Sequence, residues 1–422
     1  MLAQTVSDEI TGLVVVPDDA GAELRRLIGL KPDDDLRISY ITGPGDVHGT
    51  YEYWLDGKLD PRVPTVAKTA MYYELCRKVS ARCQLVADVQ PGRAPHDEGD
   101  VRFDYIPRAR GGNAARYYWT SARRIKHALA EIRKFSPHFV VACTDFPGYG
   151  LPLLKAGGAK LIFSLHNTFW TKGAAALDRK EMLANAGRRR WLKSVDAALC
   201  TSLECERQFQ ELTNGEIKTF RNMPQQRVPG FQREPQRRDG KRKLLYLGRT
   251  EKAKGVFDLL AAYKNLCDTY DDIELVFAGD GHGAGALGEA ISAMGDPRVR
   301  YLGRLSAEDV FAQLQDTYLV VCPTRNAFKE GLALVVIEAA VYGVPSVMST
   351  AVPASYLLPQ SGEVYEADSV EGLTASIDLF LKDRDFQLDR ARLALAESRN
   401  FFKREQSWGS YLYQAMVEAA GD

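Results

Sequence analysis

Short apolar runs alternate along the first half of the chain with segments of helical period. The clearest helical segment is SARRIKHALAEIRKF, residues 121–135. Alternating strands and helices are typical of a parallel sheet with helices on both faces. The pattern therefore predicts an α/β fold. Its predicted strands in this half are LRISYI (36–41), CQLVADV (83–89), FVVACT (139–144), KLIFSL (160–165) and AALCTS (197–202).

A second series of the same kind begins near residue 243. Between the two series, residues 222–243 carry three prolines, two glycines and no apolar period, which predicts a basic linker between two domains. A chain of 422 residues is also long for one hydrophobic core. The region 364–422 is predicted to be helical. The predicted strands of the second series are 243–248, 273–279, 299–303, 318–324 and 345–350, and its helices are 255–268, 284–293, 306–315 and 332–342.

Composition narrows the class of protein. The chain has 55 basic and 55 acidic residues, so no net charge favours nucleic acid, which we exclude as a partner. Its seven cysteines form no C-x-x-C pair, so zinc and redox motifs are unsupported. The N-terminal segment lacks the features of a signal peptide, and no run of about 18 apolar residues occurs. We expect a cytoplasmic protein that is at most peripheral to the inner face of a membrane.

Candidate chemistry lies in the loops after strands, where α/β sheets bind ligands. LGRTEKAKG, residues 247–255, places Arg249, Lys252 and Lys254 ahead of a helix. This arrangement suits a phosphate or diphosphate, and solvated loop charges explain it equally well. FAGDGHGAGALG, residues 277–288, contains a G-x-G-x-x-A pattern. Its strand is not the first of its domain and no ribose-binding acid follows, which favours turn glycines over a dinucleotide site.

The third loop, KEGLALVVIEAA (329–340), brackets an apolar run with Glu330 and Glu338. A helix starting near Gly331 would leave its first N–H groups free for an anion. Glu338 would then lie two turns farther along, roughly 11 Å at 1.5 Å per residue. A nucleoside diphosphate joined to a sugar would fit this arrangement. A helix-start acid and a carboxylate paired with a cation are the alternative.

The order of these motifs resembles the retaining glycosyltransferases of the GT-B fold, family 4 (group 1). GRTEKAKG, FAGDG and VRYLGRLSAEDV are followed by PTRNAFKEGLALVVIEAAVYGVPSV, with an E-x7-E spacing. ITGPGDVHGT, LIFSLHNT, SVDAALCTS and FRNMP in the first half match more loosely. The resemblance implies two Rossmann-like doubly wound domains facing a cleft, with C-terminal helices. We expect an acceptor-side domain at 1–225, the linker at 226–243, a donor-side domain at 244–395, and a helix at 396–422 that packs back on the first domain.

The resemblance also assigns roles to individual residues. Arg249 and Lys254 would bind the donor diphosphate, Glu338 the ribose and Glu330 the transferred sugar. His166 would bind the sugar from the other domain, unless it is a structural histidine. The predicted catalytic residues are Glu330, His166, Lys254 and Arg249. The predicted donor-binding residues are Gly45, Gly248, Arg249, Lys254, Gly279, Gly331, Leu332, Ala333, Leu334 and Glu338.

Two features depart from the family pattern. Leu332-Ala333 replaces the signature Phe-Gly, and alanine tolerates fewer backbone conformations than glycine. PGDVHGTYEYW is longer and more aromatic than a minimal glycine loop. Aromatic faces suit sugar rings, so acceptor contact is one interpretation, and tertiary packing is the other. The residues concerned are His48, Tyr51, Tyr53 and Trp54.

The predicted reaction is transfer of a glycosyl unit from a UDP- or GDP-sugar to an acceptor hydroxyl, with retention and with neither metal nor cofactor. The acceptor would be a sugar, a lipid-linked molecule or another hydroxyl compound in polysaccharide, glycolipid or glycoconjugate synthesis. The alternatives are a nucleotide-sugar epimerase, a non-catalytic nucleotide-sugar-binding subunit of an assembly complex, and a dinucleotide oxidoreductase. GRRRWLK, residues 187–193, is compatible with membrane contact or with a solvated helix face.

Overall fold

The computed structural model describes residues 12–63, 65–109, 113–172, 179–227 and 240–421. Residues 228–239 of the predicted linker lie outside the described residues. The domain bounds stay a prediction. Within the described ranges the chain forms two separate sheets, one in each half. None of the helices in these ranges combines the length and apolar character needed to cross a bilayer.

The first sheet has eight strands in the order β3-β4-β2-β1-β5-β6-β7-β8. All neighbouring strands are parallel except β3 and β4, which pair antiparallel. The predicted strands of this half are present, whereas β3, β4 and β8 were not predicted. The strands are β1 (Leu36–Ile41), β2 (Ala81–Asp88), β3 (His96–Glu98), β4 (Val101–Ile106), β5 (Phe139–Cys143), β6 (Lys160–Leu165), β7 (Ala197–Cys200) and β8 (Lys218–Arg221).

The helices of this half include one that replaces a predicted loop. Asp46 begins it as N-cap, and its carboxylate accepts a hydrogen bond from the Gly49 N–H at 3.0 Å. Aspartate at an N-cap satisfies an otherwise free N–H group, so PGDVHGTYEYW continues as a helix. The helices are α1 (Ala20–Leu27), α2 (Val47–Leu55), α3 (Lys68–Lys78), α4 (Ala114–Phe135), α5 (Leu151–Lys155), α6 (Arg179–Leu192) and α7 (Leu203–Thr213).

The second sheet has six parallel strands in the order β11-β10-β9-β12-β13-β14. Its first five strands were predicted, whereas β14 lies at the sheet edge and overlaps a region predicted to be helical. The strands are β9 (Arg242–Leu247), β10 (Ile273–Ala278), β11 (Val299–Tyr301), β12 (Leu319–Cys322), β13 (Ser346–Ser349) and β14 (Gly362–Tyr365). The helices are α8 (Val256–Leu266), α9 (Ala284–Met294), α10 (Ala307–Gln315), α11 (Leu334–Val341), α12 (Val370–Lys382), α13 (Arg384–Ser398) and α14 (Trp408–Gly421).

The last helix, α14, packs against the first sheet, although the chain reaches it from the second half. Trp408 is fully buried there, and its indole N–H donates to the Ser164 hydroxyl at 2.9 Å. A buried tryptophan N–H usually finds a hydrogen-bond partner, and this contact helps to fix how the helix sits on β6. The two halves are therefore joined at the end of the chain as well as at residues 226–243.

In each sheet, the chain adds strands first on one side of a central strand and then on its other side. The chain runs outward from β1 to β2 and then returns to place β5 on the other side of β1. The second sheet does the same with β10 and β12 on either side of β9. The loops after the central strands diverge at such points and leave a crevice where ligands bind. The topology therefore directs attention to the loops after β1, β5, β9 and β12.

Candidate active site in the cleft between the two sheets

A cleft of about 1120 Å³ opens where these loops face one another. It is lined from the first half by the loop 43–46 and from the second half by the loops after β9 and β12. Every predicted catalytic and donor-binding residue lines it. They are Gly45, His166, Gly248, Arg249, Lys254, Gly279, Glu330, Gly331, Leu332, Ala333, Leu334 and Glu338.

Glu330 has a cationic partner inside the cleft. Its carboxylate forms an ion pair with the Lys254 ammonium, and the Thr324 hydroxyl donates to the same oxygen at 3.3 Å. Both side chains of the pair are nearly buried, with 12% and 10% exposed. A buried charge is stable only when it is paired and hydrogen-bonded. The loops after β9 and β12 are therefore held together by this pair.

Phe328 connects the same pair to Arg249. The Lys254 ammonium lies 4.4 Å and the Arg249 guanidinium 4.7 Å from the centre of its ring. Cations at this distance are attracted by the negative face of an aromatic ring. The Arg249 side chain is 62% exposed, and its ion pair with Glu251 is long at 3.4 Å. The ring therefore aligns two cations while Arg249 keeps N–H groups free for a ligand.

The helix that follows Glu330 begins later than predicted. Helix α11 starts at Leu334, and Ala333 before it adopts a left-handed conformation with φ of 69°. The N–H groups of residues 331–334 donate to no acceptor among the described residues. Free N–H groups at a helix start attract anions. Free N–H groups are thus available here, although residues 331–333 are not helical, and anion binding at this point stays a prediction.

Glu338 has no hydrogen-bond or ion-pair partner within the described ranges, although it is only 7% exposed. Burial raises the pKa of its carboxyl to about 7. Because α11 starts at Leu334, Glu338 lies only about 6 Å along the axis from the helix start, which corrects the two-turn spacing. A buried acid that faces a cleft without a partner is available to a ligand with hydroxyl groups.

Two glycines allow close approach of backbone in the cleft. A side chain at Gly279 would overlap the carbonyl of Gly248, so the loops after β10 and β9 touch only because glycine is present. A side chain at Gly331 would overlap the carbonyl of His166 on the first half. Lys329 strengthens that second approach by donating to the carbonyl of Phe169 at 2.6 Å. The loop carrying Glu330 therefore rests against the end of β6.

His166 is held by a lysine that the sequence did not single out. The Lys68 ammonium, at the start of α3, donates to His166 Nδ1, and the Thr201 hydroxyl lies 3.4 Å from both atoms. Burial and then the Lys68 charge lower the pKa of His166 well below its ordinary value. The imidazole is therefore neutral, with its proton on Nε2. Lys68 has no carboxylate partner among the described residues, and burial lowers its pKa to about 8.

The four predicted acceptor residues are not brought to the cleft. Tyr51 and Trp54 belong to the hydrophobic core of the first half. Tyr53 lies under the guanidinium of Arg62. His48 faces Glu98, with 2.9 Å between Nε2 and the carboxylate. Residues 47–55 form a helix that buries His48, Tyr51 and Trp54 and leaves Tyr53 half-buried, so packing, the alternative interpretation, accounts for them.

Comparison with known proteins identifies a matching family model and a related protein sequence. Residues 230–397 match the family model of glycosyl transferases group 1. Glycogen synthase of Mycobacterium tuberculosis is 31% identical over 215 residues, which are 48% of this chain and 50% of that protein. The chain thus spans about half the length of the curated relatives it matches. The predicted resemblance is confirmed for the second half of the chain.

Solved structures resemble almost the whole chain. Sucrose-phosphate synthase from Thermosynechococcus elongatus has a TM-score of 0.62 at 13% identity, over 90% of this chain and 97% of that one. A structure described as trehalose-6-phosphate from E. coli bound with UDP-2-fluoro glucose has a TM-score of 0.65 at 10% identity, over 90% and 99%. These similarities confirm the predicted GT-B fold, two Rossmann-like domains that face a cleft.

Replacing Glu338 by glutamine is expected to stabilise the free protein at pH 8. Burial raises the pKa of Glu338 from 4.5 to about 7, so the folded protein binds the proton more tightly than the unfolded chain. The free energy of unfolding therefore falls as the pH rises from 4.5 through about 7, and the loss amounts to about 3 kcal/mol above this range. Glutamine carries no charge at any of these pH values, so the variant avoids the loss.

Denaturant unfolding of wild type and Glu338→Gln at pH 8 and pH 5 measures the effect. The gain at pH 8 should shrink strongly at pH 5. Glu366→Gln, at an exposed position of the same half, is the matched control and should change little. An equal effect of Glu338→Gln at both pH values would contradict an unpaired buried carboxylate.

Replacing Lys68 by methionine is expected to raise the pKa of His166. The substitution keeps the bulk of the side chain and removes the positive charge that now disfavours the imidazolium. An NMR titration of the imidazole signals measures the shift. Lys78→Met, at the exposed end of the same helix, should leave the pKa unchanged. An unaltered His166 in Lys68→Met would show that the two groups do not interact.

Proposed function

We propose that this chain is a glycosyltransferase that moves a sugar from a nucleoside diphosphate sugar to an acceptor hydroxyl with retention of anomeric configuration. The observation that carries the proposal is the arrangement around α11. An ion-paired Glu330, free N–H groups at 331–334 and an unpartnered Glu338 line one wall of a single cleft. These groups match a sugar, a diphosphate and a ribose in that order.

The diphosphate is the leaving group, so its developing charge must be stabilised. Arg249, Lys254 and the free N–H groups at 331–334 supply that stabilisation from fixed positions. Fixed donors do not have to reorient when charge develops, which makes them more effective than water. No step in this scheme requires a metal ion.

Glu330 and His166 bind the transferred sugar from opposite sides. Glu330 accepts hydrogen bonds from its hydroxyl groups while remaining beside Lys254. The neutral His166 donates its Nε2 proton to a sugar oxygen, since Nδ1 is occupied by Lys68. Gly331 keeps the two residues close because its lack of a side chain lets the loop meet the His166 carbonyl.

Retention follows if the acceptor attacks on the face from which the diphosphate leaves. The bond from the anomeric carbon to the phosphate oxygen breaks, and a bond to the acceptor oxygen forms on the same face. The acceptor proton moves to the departing phosphate oxygen, so no protein base is needed. Asp145, an exposed carboxylate after β5 that lines the cleft, is placed to hold an acceptor hydroxyl.

The donor prediction is tested with UDP-, GDP- and ADP-sugars, scored by thermal shift and by nucleotide release with and without acceptors. A UDP- or GDP-sugar is expected to raise the melting temperature, and release is expected to depend on the acceptor. Glu330→Gln and Lys254→Ala should each lower transfer by about 100-fold. Each variant leaves the charge of its buried partner unpaired, so its melting temperature should also fall, and transfer is compared at a temperature where circular dichroism shows every variant folded.

Lys252→Ala, in the same loop but exposed and outside the cleft, is the matched control and should transfer normally. Near-normal turnover in both Glu330→Gln and Lys254→Ala would contradict the site. Conversion of the donor sugar without acceptor would indicate an epimerase. Binding without any turnover would indicate a non-catalytic subunit, and stabilisation by no nucleotide sugar would reject the donor class.

A surface of the first half supports a lipid-linked acceptor. Tyr118 and Trp119 on α4 are 61% and 64% exposed, although large aromatic side chains are normally covered. A row of rings continues from Tyr118 through Tyr149 to Trp191 on α6, with centroids 6.3 and 5.9 Å apart. We define this row, together with Trp119, as the aromatic surface.

The two helices that carry the aromatic surface also carry exposed cations, and the Arg123 guanidinium lies 6.0 Å from the centre of the Trp119 ring. Arg116 and Arg123 on α4 and Arg189 and Arg190 on α6 are exposed. Aromatic rings beside basic residues favour the boundary of a bilayer that contains anionic lipid. We propose that the protein acts in the cytoplasm, with this surface on the inner face of a membrane and the cleft open to a glycolipid acceptor.

Sedimentation with phosphatidylcholine vesicles, with and without phosphatidylglycerol, tests this contact. The protein is expected to bind the anionic vesicles, and added salt should weaken binding because the charges lie at the surface. Tyr118→Ser with Trp119→Ser should abolish it. Val364→Ser, an exposed apolar position in the second half, should retain it. Equal sedimentation of the double variant and wild type would contradict the proposed surface.

A further inference from the structure

Two histidines and a glutamate meet where α2 crosses the edge of the first sheet, outside the residues that line the cleft. His48 lies in the first turn of α2, and His96 and Glu98 lie on β3. One nitrogen or oxygen atom from each lies within 4.8 Å of the others. His48 Nε2 is 2.9 Å and His96 Nε2 3.9 Å from a Glu98 oxygen.

The hydrogen bond of His96 leaves its Nε2 atom, which faces Glu98, available to bind a metal ion. Its Nδ1 lies 2.9 Å from the Ala94 carbonyl, which only accepts, so Nδ1 carries the proton. In the neutral ring, Nε2 then presents a lone pair toward Glu98. A second hydrogen bond that fixes the tautomer in this way is typical of histidines that bind metal ions.

His48 is buried, with only 8% of its surface exposed. Its Nδ1 has no hydrogen bond and lies 3.6 Å from the carboxylate of Glu52, one helical turn away. A small rotation of Glu52 would let it accept the Nδ1 proton, which leaves Nε2 free to bind a cation. The buried ring therefore has an outer carboxylate of the kind that supports a metal ligand.

Packing limits how far the two rings can move. The His96 ring stacks on Phe103 at 5.0 Å, and the edge of the His48 ring meets His96 at 4.8 Å. His96 and Glu98 are two residues apart on a strand, so both point to the same face. Ligands that are already oriented lose little conformational freedom when they bind an ion.

We propose that His48, His96 and Glu98 bind a zinc ion. Two imidazoles and one carboxylate suit Zn²⁺ and related transition metals, with water at the fourth position, whereas Mg²⁺ and Ca²⁺ prefer oxygen ligands. The ion would join α2 to β3. Because α2 follows the loop 43–46, this clamp would also fix the cleft-lining loop without taking part in glycosyl transfer.

Metal titration of the EDTA-treated full chain tests the proposal. Zn²⁺ is expected to bind at one equivalent and raise the melting temperature, and Co²⁺ should give the visible absorption of a four-coordinate site. Mg²⁺ should do neither. His96→Ala and Glu98→Gln should each weaken Zn²⁺ binding at least about tenfold, because removal of a ligand costs no less than removal of an outer partner.

His127→Ala, at an exposed position on α4, is the matched control and should bind as wild type does. Equal Zn²⁺ binding by wild type and His96→Ala would mean adventitious surface binding and overturn the proposal. Absence of both Co²⁺ absorption and a Zn²⁺ thermal shift would also overturn it. Neither readout involves a sugar nucleotide, so the result is independent of the proposed glycosyltransferase activity.

Discussion

The ion pair between Lys254 and Glu330 is the interaction on which the donor wall of the cleft depends. It joins the loop after β9 to the loop after β12, the two strands on either side of the point where strand order reverses. Neither charge is tolerable alone in so buried a place. Thr324 donates a hydrogen bond to Glu330, and the ring of Phe328 contacts Lys254. Lys254, which would bind a phosphate, is therefore held in place by Glu330, which would bind the sugar. Recognition of the two parts of a donor is thereby coupled.

Two other charges at the cleft have no counterion within the described residues. Glu338 stands on the second half and Lys68 on the first, and burial shifts the pKa of each toward its neutral form. A protein selected for stability alone would have paired or removed them. On the proposed function a ligand would supply hydroxyl groups to Glu338, while Lys68 on the first half holds the neutral His166 imidazole.

The sequence predicted what depends on local pattern and missed what depends on packing. The central strands of both sheets are buried on two faces, so they stand out as apolar runs. The strand β3, with sequence HDE, and the half-exposed β8 carry no such signal. Residues 47–55 resemble a glycine loop in sequence, and the Asp46 side chain caps them as a helix instead. Tyr51 and Trp54 of that segment consequently point into the core instead of the cleft.

The same distinction applies inside the cleft. Residues fixed by motif spacing, such as Glu330 and Glu338, line the cleft, although Glu338 lies nearer the helix start than predicted. Lys68 and Phe328 act through neighbours distant in sequence, so spacing gives no hint of them.

The position of Ala333 follows from the motif, whereas its backbone conformation depends on packing. The motif has glycine at its position, and the structure places Ala333 in the left-handed region, which costs a residue with a side chain roughly 1–2 kcal/mol. The surrounding packing must enforce this conformation of Ala333. The conformation leaves the N–H groups at 331–334 free for an anion. The strain is therefore located at the point where the proposed chemistry needs unsatisfied donors.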